Sequence, residues 1–217
     1  MADDQLQLDV AAELCWDPKV GSAAIAVSAD GGIVTLHGTV GSLREKREAK
    51  KAAERVYGVA AVNDELRVRV LDKDRREDTE LRGDILQALI LDGLIPTTVD
   101  ARVTGGFVTL TGTASWQYQR DEARFIVANV PGVFDIEDRI KLITSPDCRD
   151  VKNDISGAFA RSARLDADGL SVSTSPGSVT LAGVVRSWAE HDEAIAAAWA
   201  APGVTEVHDH IQVEYCK

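Results

Sequence analysis

Aromatic residues make up only 5% of this 217-residue chain, so any core must be built mainly from Val, Ile, Leu and Ala. Cations are also scarce: 24 Lys and Arg stand against 35 Asp and Glu, a formal net charge of -11. That deficit argues against a nucleic-acid partner recognised through phosphates, and it weakens binding to an anionic membrane by bulk charge alone. No run approaches the roughly 18 apolar residues of a membrane span, so no transmembrane segment is expected. Three cysteines, Cys15, Cys148 and Cys216, are scattered without a C-x-x-C pair. A zinc knuckle or dithiol couple is thereby excluded, and free structural thiols are expected. The opening Met1-Ala2-Asp3-Asp4 is acidic where a secretory signal is basic and then apolar. A cytoplasmic location, at most peripheral to the membrane, is the expectation. What is present, 45% hydrophobic and 27% charged residues, suits folded cores rather than disorder.

Internal repetition organises the chain. Gly32-Ile-Val-Thr-Leu-His-Gly38 returns as Gly106-Phe-Val-Thr-Leu-Thr-Gly112 and as Gly177-Ser-Val-Thr-Leu-Ala-Gly183. A second anchor follows each: Tyr57-Gly58-Val59, Pro131-Gly132-Val133 and Pro202-Gly203-Val204. In every copy 26 residues separate the first glycine of one anchor from the glycine of the next. Upstream, Leu6, Val10 and Leu14 match Leu81, Ile85 and Leu89, then Val151, Ile155 and Phe159, an i, i+4, i+8 spacing that predicts a helix. Short strands are expected at 24–28, 99–103 and 170–174, each joined by a Gly-bearing turn to the Val-Thr-Leu strand. The Ser175-Pro176-Gly177 turn of the third copy is expected to differ in type.

A second helix follows, with stripes Ala49, Ala52, Ala53, Val56; Ala123, Ile126, Val127, Val130; and Ala194, Ala197, Ala198, Ala201. Ser42 with Glu45 and Ser187 with Glu190 read as capping boxes, whereas Trp116 takes the cap position in copy two. The second-anchor glycine is expected to cap the helix C-terminus. A last strand alternates through Val62, Asp64, Leu66; Ile136, Asp138, Ile140; and Val207, Asp209, Ile211. The expected fold is α+β: three tandem α-β-β-α-β units, each a small mixed three-stranded sheet with two helices on one face. The expected domains are 1–72, 78–144 and 147–217.

This order of elements, with its G-x-V-T-L-x-G and G-V anchors, resembles the BON domain (bacterial osmotically induced and nodulation domain), three times over nearly the whole chain. The resemblance implies a non-catalytic module tied to stress responses, attaching to phospholipid or to envelope proteins. On that reading Gly32, Gly38, Gly58, Gly106, Gly112, Gly132, Gly177, Gly183 and Gly203 are structural.

The residues themselves point to no enzyme and no cofactor. No G-x-S-x-G elbow or phosphate-cradling G-x-x-x-x-G-K occurs, and the repeated aspartates Asp9, Asp84, Asp154 and Asp64, Asp138, Asp209 suit structure rather than one active site. For the second set, a local hydrogen bond is the simplest role. His208 and His210 share a strand face with Glu206 and Glu214, but spacing supplies no complete ligand set, so no metal is expected. Two features remain as contact surfaces. Helix two of copy one carries Arg44, Lys46, Arg47, Lys50, Lys51 and Arg55 among Glu45, Glu48 and Glu54. It reads either as a headgroup surface or as a solvated helix laced with i, i+4 pairs, and the second reading is favoured. Off the apolar stripe, Tyr118 and Phe125 in copy two, and Trp188 with Ile195 and Trp199 in copy three, form ridges. They read as lipid or partner contacts, or as packing between copies, which the short joins favour. Partners are thus phospholipid headgroups or a protein. A soluble scaffold and a cation-responsive protein are the alternatives.

Overall fold

The computed structural model describes residues 2–69, 76–143, 151–162 and 169–214. Cys148, Cys216 and most of the two expected joins lie outside the described residues. The chain gathers into two compact bodies: Met1–Thr113 with Arg120–Lys141, and Ala114–Gln119 with Leu142–Lys217.

Copy one runs α1 (Ala2–Trp16), β1 (Ile25–Asp30), β2 (Ile33–Val40), α2 (Leu43–Glu54) and β3 (Ala61–Val68). Copy two repeats it with α3 (Asp78–Leu91), β4 (Asp100–Thr104), β5 (Phe107–Ala114), α4 (Gln117–Ala128) and β6 (Asp135–Leu142). Copy three has α5 (Val151–Arg161), β7 (Leu170–Ser175), β8 (Ser178–Val185), α6 (Trp188–Trp199) and β9 (Glu206–Val213). Each sheet has its Val-Thr-Leu strand in the centre, in the orders β1-β2-β3, β4-β5-β6 and β7-β8-β9. The first two strands of every copy pair antiparallel as a hairpin. In copies one and three the last strand pairs parallel to the centre after its helical crossover, so these sheets are mixed.

The cores are aliphatic, as the shortage of aromatics requires. In copy one Val10 and Leu14 of α1, Val34 and Leu36 of β2, and Ala49, Ala52 and Ala53 of α2 form one buried cluster. The small alanine stripe lets α2 lie close to the sheet, while the larger side chains of α1 fill the remaining depth. Copy three repeats this with Ile155, Phe159, Val179, Leu181, Ala194 and Ala198. Each fully buried Leu, Ile or Val contributes about 1.5–3 kcal/mol against exposure.

Glycine is required where the hairpin begins. Gly38 pairs with Ile25 at φ +130°, and a Cβ there would run into the carbonyl oxygen of Ala24. Gly112 at φ +127° meets the Thr98 carbonyl, and Gly183 at φ +143° meets that of Gly169. Three sequence-distant segments are thus passed through the same bare backbone position. The hairpin turns do differ: Gly31 and Gly32 both have positive φ (57° and 85°), whereas Pro176 in copy three cannot, leaving Gly177 alone at +77°.

The second-anchor glycine does not cap the helix. α2 ends on Arg55, a right-handed residue with φ -74° and ψ -17°. The Val56 amide then donates to the Ala53 carbonyl at 3.1 Å, and the Val59 amide to the Val56 carbonyl at 3.2 Å. Gly58, φ +96°, is the third residue of that separate turn, the place where a type II turn takes glycine. Val133 to Val130 and Val204 to Ala201 close the same turn at 3.4 Å, now with Pro in second place. The turn folds the chain back so that Val59, Val133 and Val204 are buried.

The helix N-termini behave largely as read. Ser42 Oγ accepts the Glu45 amide at 3.1 Å and Ser187 Oγ the Glu190 amide at 3.2 Å. The glutamates reach back beyond the cap: Glu45 accepts the Gly41 and Gly21 amides, both at 2.7 Å. Copy two loses the serine but keeps the other half, because Gln119 Oε1 accepts the Ser115 and Trp116 amides at 3.0 and 3.2 Å.

Candidate functional site

The repeated strand aspartates lie in the apolar row of the last strand, on the face that the helices cover. Asp64 and Asp138 are largely buried there, and a buried carboxylate must be paired or hydrogen-bonded, since burying an isolated charge costs several kcal/mol, whereas the Asp209 side chain is 40% exposed. One oxygen accepts the amide two residues on: Leu66 to Asp64, Ile140 to Asp138 and Ile211 to Asp209, at 3.0, 3.0 and 2.9 Å. This is the local hydrogen bond that the repetition suggested. The side chain also meets a cation on the crossover helix. Lys46 Nζ is 3.6 Å from Asp64, Arg120 Nε is 2.8 Å from Asp138, and His191 Nε2 is 2.7 Å from Asp209. Sequence reasoning missed these three pairs. The signal was present, because a basic residue stands 18 positions before each aspartate.

A further set of carboxylates serves the hairpins. Asp3 accepts the Gly31 amide at 3.0 Å. Asp78 accepts those of Gly105 and Gly106 at 2.7 and 3.0 Å. Each aspartate stands three residues before the first buried leucine of its helix, Leu6 or Leu81. The other repeated aspartates have surface roles: Asp9 accepts from Gln5 at 2.8 Å and Asp84 from Arg76 at 2.6 Å.

The cations at and just after α2 fall into three groups. Lys46 is held inside the fold, donating to the Leu66 carbonyl at 2.7 Å as well as meeting Asp64. Arg55 bridges back to α1, 2.9 Å from Glu13 and 2.7 Å from Asp17. The hydrogen bond from Arg55 is the main cause holding the Asp17 carboxyl below the usual aspartate range. Lys46 and Arg55 thus each have protein partners, although the Arg55 side chain is 48% exposed. Arg44, Lys50 and Lys51 are exposed, with Lys50 3.6 Å from Glu54 in an i, i+4 pair. Arg47 is half-buried. Its guanidinium lies over the Phe125 ring of copy two, 5.3 Å from the centroid.

The aromatic ridges divide in the same way. Phe125, 42% exposed, is the partner of Arg47, so that part of the ridge packs against the neighbouring copy. Tyr118 is exposed. Trp188, Ile195 and Trp199 do not stand clear of the core: all three are half-buried and pack against the apolar cluster of copy three itself. The alanine stripe of α6 is so shallow that long side chains on the helix flanks reach down to the sheet. Trp188 also meets His191 edge-on, with ring centroids 4.9 Å apart.

Cys15 is free and exposed rather than structural. His208 is exposed and sits 3.7 Å from Glu206. Among the described residues no group of three or more His, Cys, Asp or Glu is placed to hold a metal ion, and no helix is long and apolar enough to cross a membrane.

The chain is similar to the osmotically-inducible protein Y of Escherichia coli (strain K12), 34% identical over 146 residues, which is 65% of this chain and 73% of that protein. A solved structure of CdsD, a structural protein of the Type III secretion system of Chlamydia trachomatis, aligns over 98% of this chain and 94% of its own at 14% identity. Its TM-score is only 0.28, too low to carry a structural argument. The BON domain family matches residues 2–70, 77–144 and 147–215. Those three stretches coincide with three α-β-β-α-β copies whose glycine anchors and strand aspartates recur in role, and the chain therefore belongs to the BON domain family.

Proposed function

We propose that the chain is a non-catalytic triple BON module of a stress response, attaching to phospholipid headgroups through the exposed side of α2. The observation that carries this reading is the crowding of exposed Arg44, Lys50 and Lys51 on one helix of a chain whose net charge is -11. Juxtaposed cations gain about 1 kcal/mol each near an anionic bilayer, and the gain falls with salt. Similarity to an osmotically-inducible protein supports the stress role. The proposed location is the cytoplasm, peripheral to the membrane, which cell fractionation tests.

Flotation of the full chain with phosphatidylglycerol vesicles at low salt, against phosphatidylcholine vesicles, tests the reading. The wild type should float with the anionic vesicles, and the combined Arg44→Gln, Lys50→Gln, Lys51→Gln variant should not. A wild type that ignores both vesicle types would sink the headgroup reading. A protein scaffold would then stand in its place, supported by the exposed apolar end of copy two's first helix, where Ile90 and Leu91 are 78% and 77% exposed.

A further inference from the structure

Helix α3 ends on three consecutive apolar residues, Leu89, Ile90 and Leu91. Successive side chains point about 100° apart around a helix, so one packing face cannot take all three. Leu89 is buried, whereas Ile90 and Leu91 are 78% and 77% exposed. The turn beyond the helix adds Leu94, 52% exposed, while the next residue, Ile95, is buried. Beside this ridge lies a cavity of about 560 Å³ walled by Leu86, Leu89, Ile90, Ile95, Pro96 and Val99, with Thr97 and Asp100 its polar members. Charge is nearly missing here, although 27% of the chain is charged. Across residues 85–99 the one ionisable side chain is Asp92, and its carboxylate accepts the Leu94 amide at 2.8 Å. Asp100 is paired with Arg82 at 3.0 Å.

We propose that this patch pairs with the same patch of a second copy of the chain about a two-fold axis, the ridge of Ile90, Leu91 and Leu94 on each chain entering the cavity of the other. Ridge and cavity adjoin through Ile90, so one two-fold rotation seats both at once, as an isologous interface requires. Charge favours this place for a second copy. A net charge of -11 makes two chains repel each other, and this segment carries almost none of that charge. Area agrees as well: the three side chains and the cavity walls cover roughly 500 Å² per chain, so pairing buries on the order of 1,000 Å², the threshold of a specific interface. An interface of that size is reversible rather than obligate. An anionic bilayer suits the patch less, because the cation beside it, Arg82, is held by Asp100.

Sedimentation equilibrium of the full chain, without lipid and at an ionic strength of about 0.15 M, tests the pairing from micromolar to millimolar concentration. The average mass should rise from that of one 23.3 kDa chain towards that of two. Leu91→Glu and Leu91→Lys, at an exposed position, should each keep the wild-type circular dichroism and pair at least tenfold more weakly. Mixed one to one, the two variants should pair more tightly than either does alone, because a patch that meets itself brings their opposite charges together. Trp16→Ser removes the side chain at the corresponding place in copy one, 82% exposed, and should pair like the wild type. A wild type that stays monomeric overturns the inference, as do Leu91 variants that pair like the wild type, a mixture no tighter than its components, or equal weakening by Trp16→Ser. A monomeric wild type whose flotation is lost in Leu91→Glu would assign the patch to the bilayer, and unchanged flotation would leave it to another protein. The pairing uses none of the cations assigned to bilayer attachment and its measurement contains no lipid, so failure of either reading leaves the other standing.

Discussion

His191 Nε2 lies 2.7 Å from Asp209 Oδ2, in the place where copy one sets Lys46 beside Asp64 and copy two sets Arg120 beside Asp138. The three copies thus share one helix-to-strand ion pair, and only the third makes it with a side chain that titrates near neutral pH. His191 Nδ1 faces Asp192 at 3.2 Å, so both ring nitrogens meet carboxylates and the charged imidazolium is the form that satisfies them. The ring is 12% exposed.

Stability of copy three should therefore depend on pH. The hydrogen bond to Asp192 raises the pKa of His191, burial opposes the rise, and the bond to Asp209 adds to it. A folded-state pKa above the unfolded value of about 6.5 means that the contribution is complete below pH 6.5 and fades as pH rises through the folded value. Thermal melts of the full chain from pH 5 to 9, with an NMR titration of the His191 ring, should show this loss. His191→Lys should flatten the dependence by installing the permanent cation that copy one uses. A His191 ring that titrates below the value of a free histidine would contradict the pairing.

Gly38→Ala should destabilise copy one by more than about 2 kcal/mol, because strain from positive φ adds to collision with a backbone carbonyl that cannot swing away. Gly31→Ala is the control. Gly31 also has positive φ, +57°, but nothing lies within 4 Å of its missing Cβ. The cost there should be only about 1–2 kcal/mol, that of a left-handed residue. Urea unfolding of the two variants should separate them, and equal losses would show that the close approach to Ala24 does not matter.

Trp199→Ala should lower the stability of copy three by roughly 1–3 kcal/mol, less than for a fully buried aromatic because Trp199 is half-buried. The indole rests on its own copy's core, so vesicle flotation should be unaffected by the substitution. Loss of flotation with an unchanged melting temperature would restore the docking reading of that ridge.

The architecture was legible because its signals are local. The 26-residue interval between anchors, the apolar stripes and the alternating last strand follow from helix and strand periods, and the paired glycines mark backbone that other residues rarely adopt. Ser42 and Ser187 announced their helix starts for the same reason: a cap bonds an amide three residues away. The second-anchor glycine was misplaced by one turn, since Gly58 is close enough to α2 in sequence to serve as either cap or turn. Only the hydrogen bonds of Val56 and Val59 distinguish the two.

The sequence by itself determined the number of copies, the order of their elements and which faces are apolar. The tertiary structure alone decided which charges meet. Lys46, Arg120 and His191 reach their aspartates because the crossover brings a helix over the last strand at one register, and no residue's local preference encodes that distance. The same holds for Arg47, whose place over Phe125 depends on how copies one and two pack. It also holds for Trp188 and Trp199, which lie on the core because α6 sits close to its sheet. Contacts between sequence-distant side chains depend on register and approach distance, and those exist only once the backbone has closed.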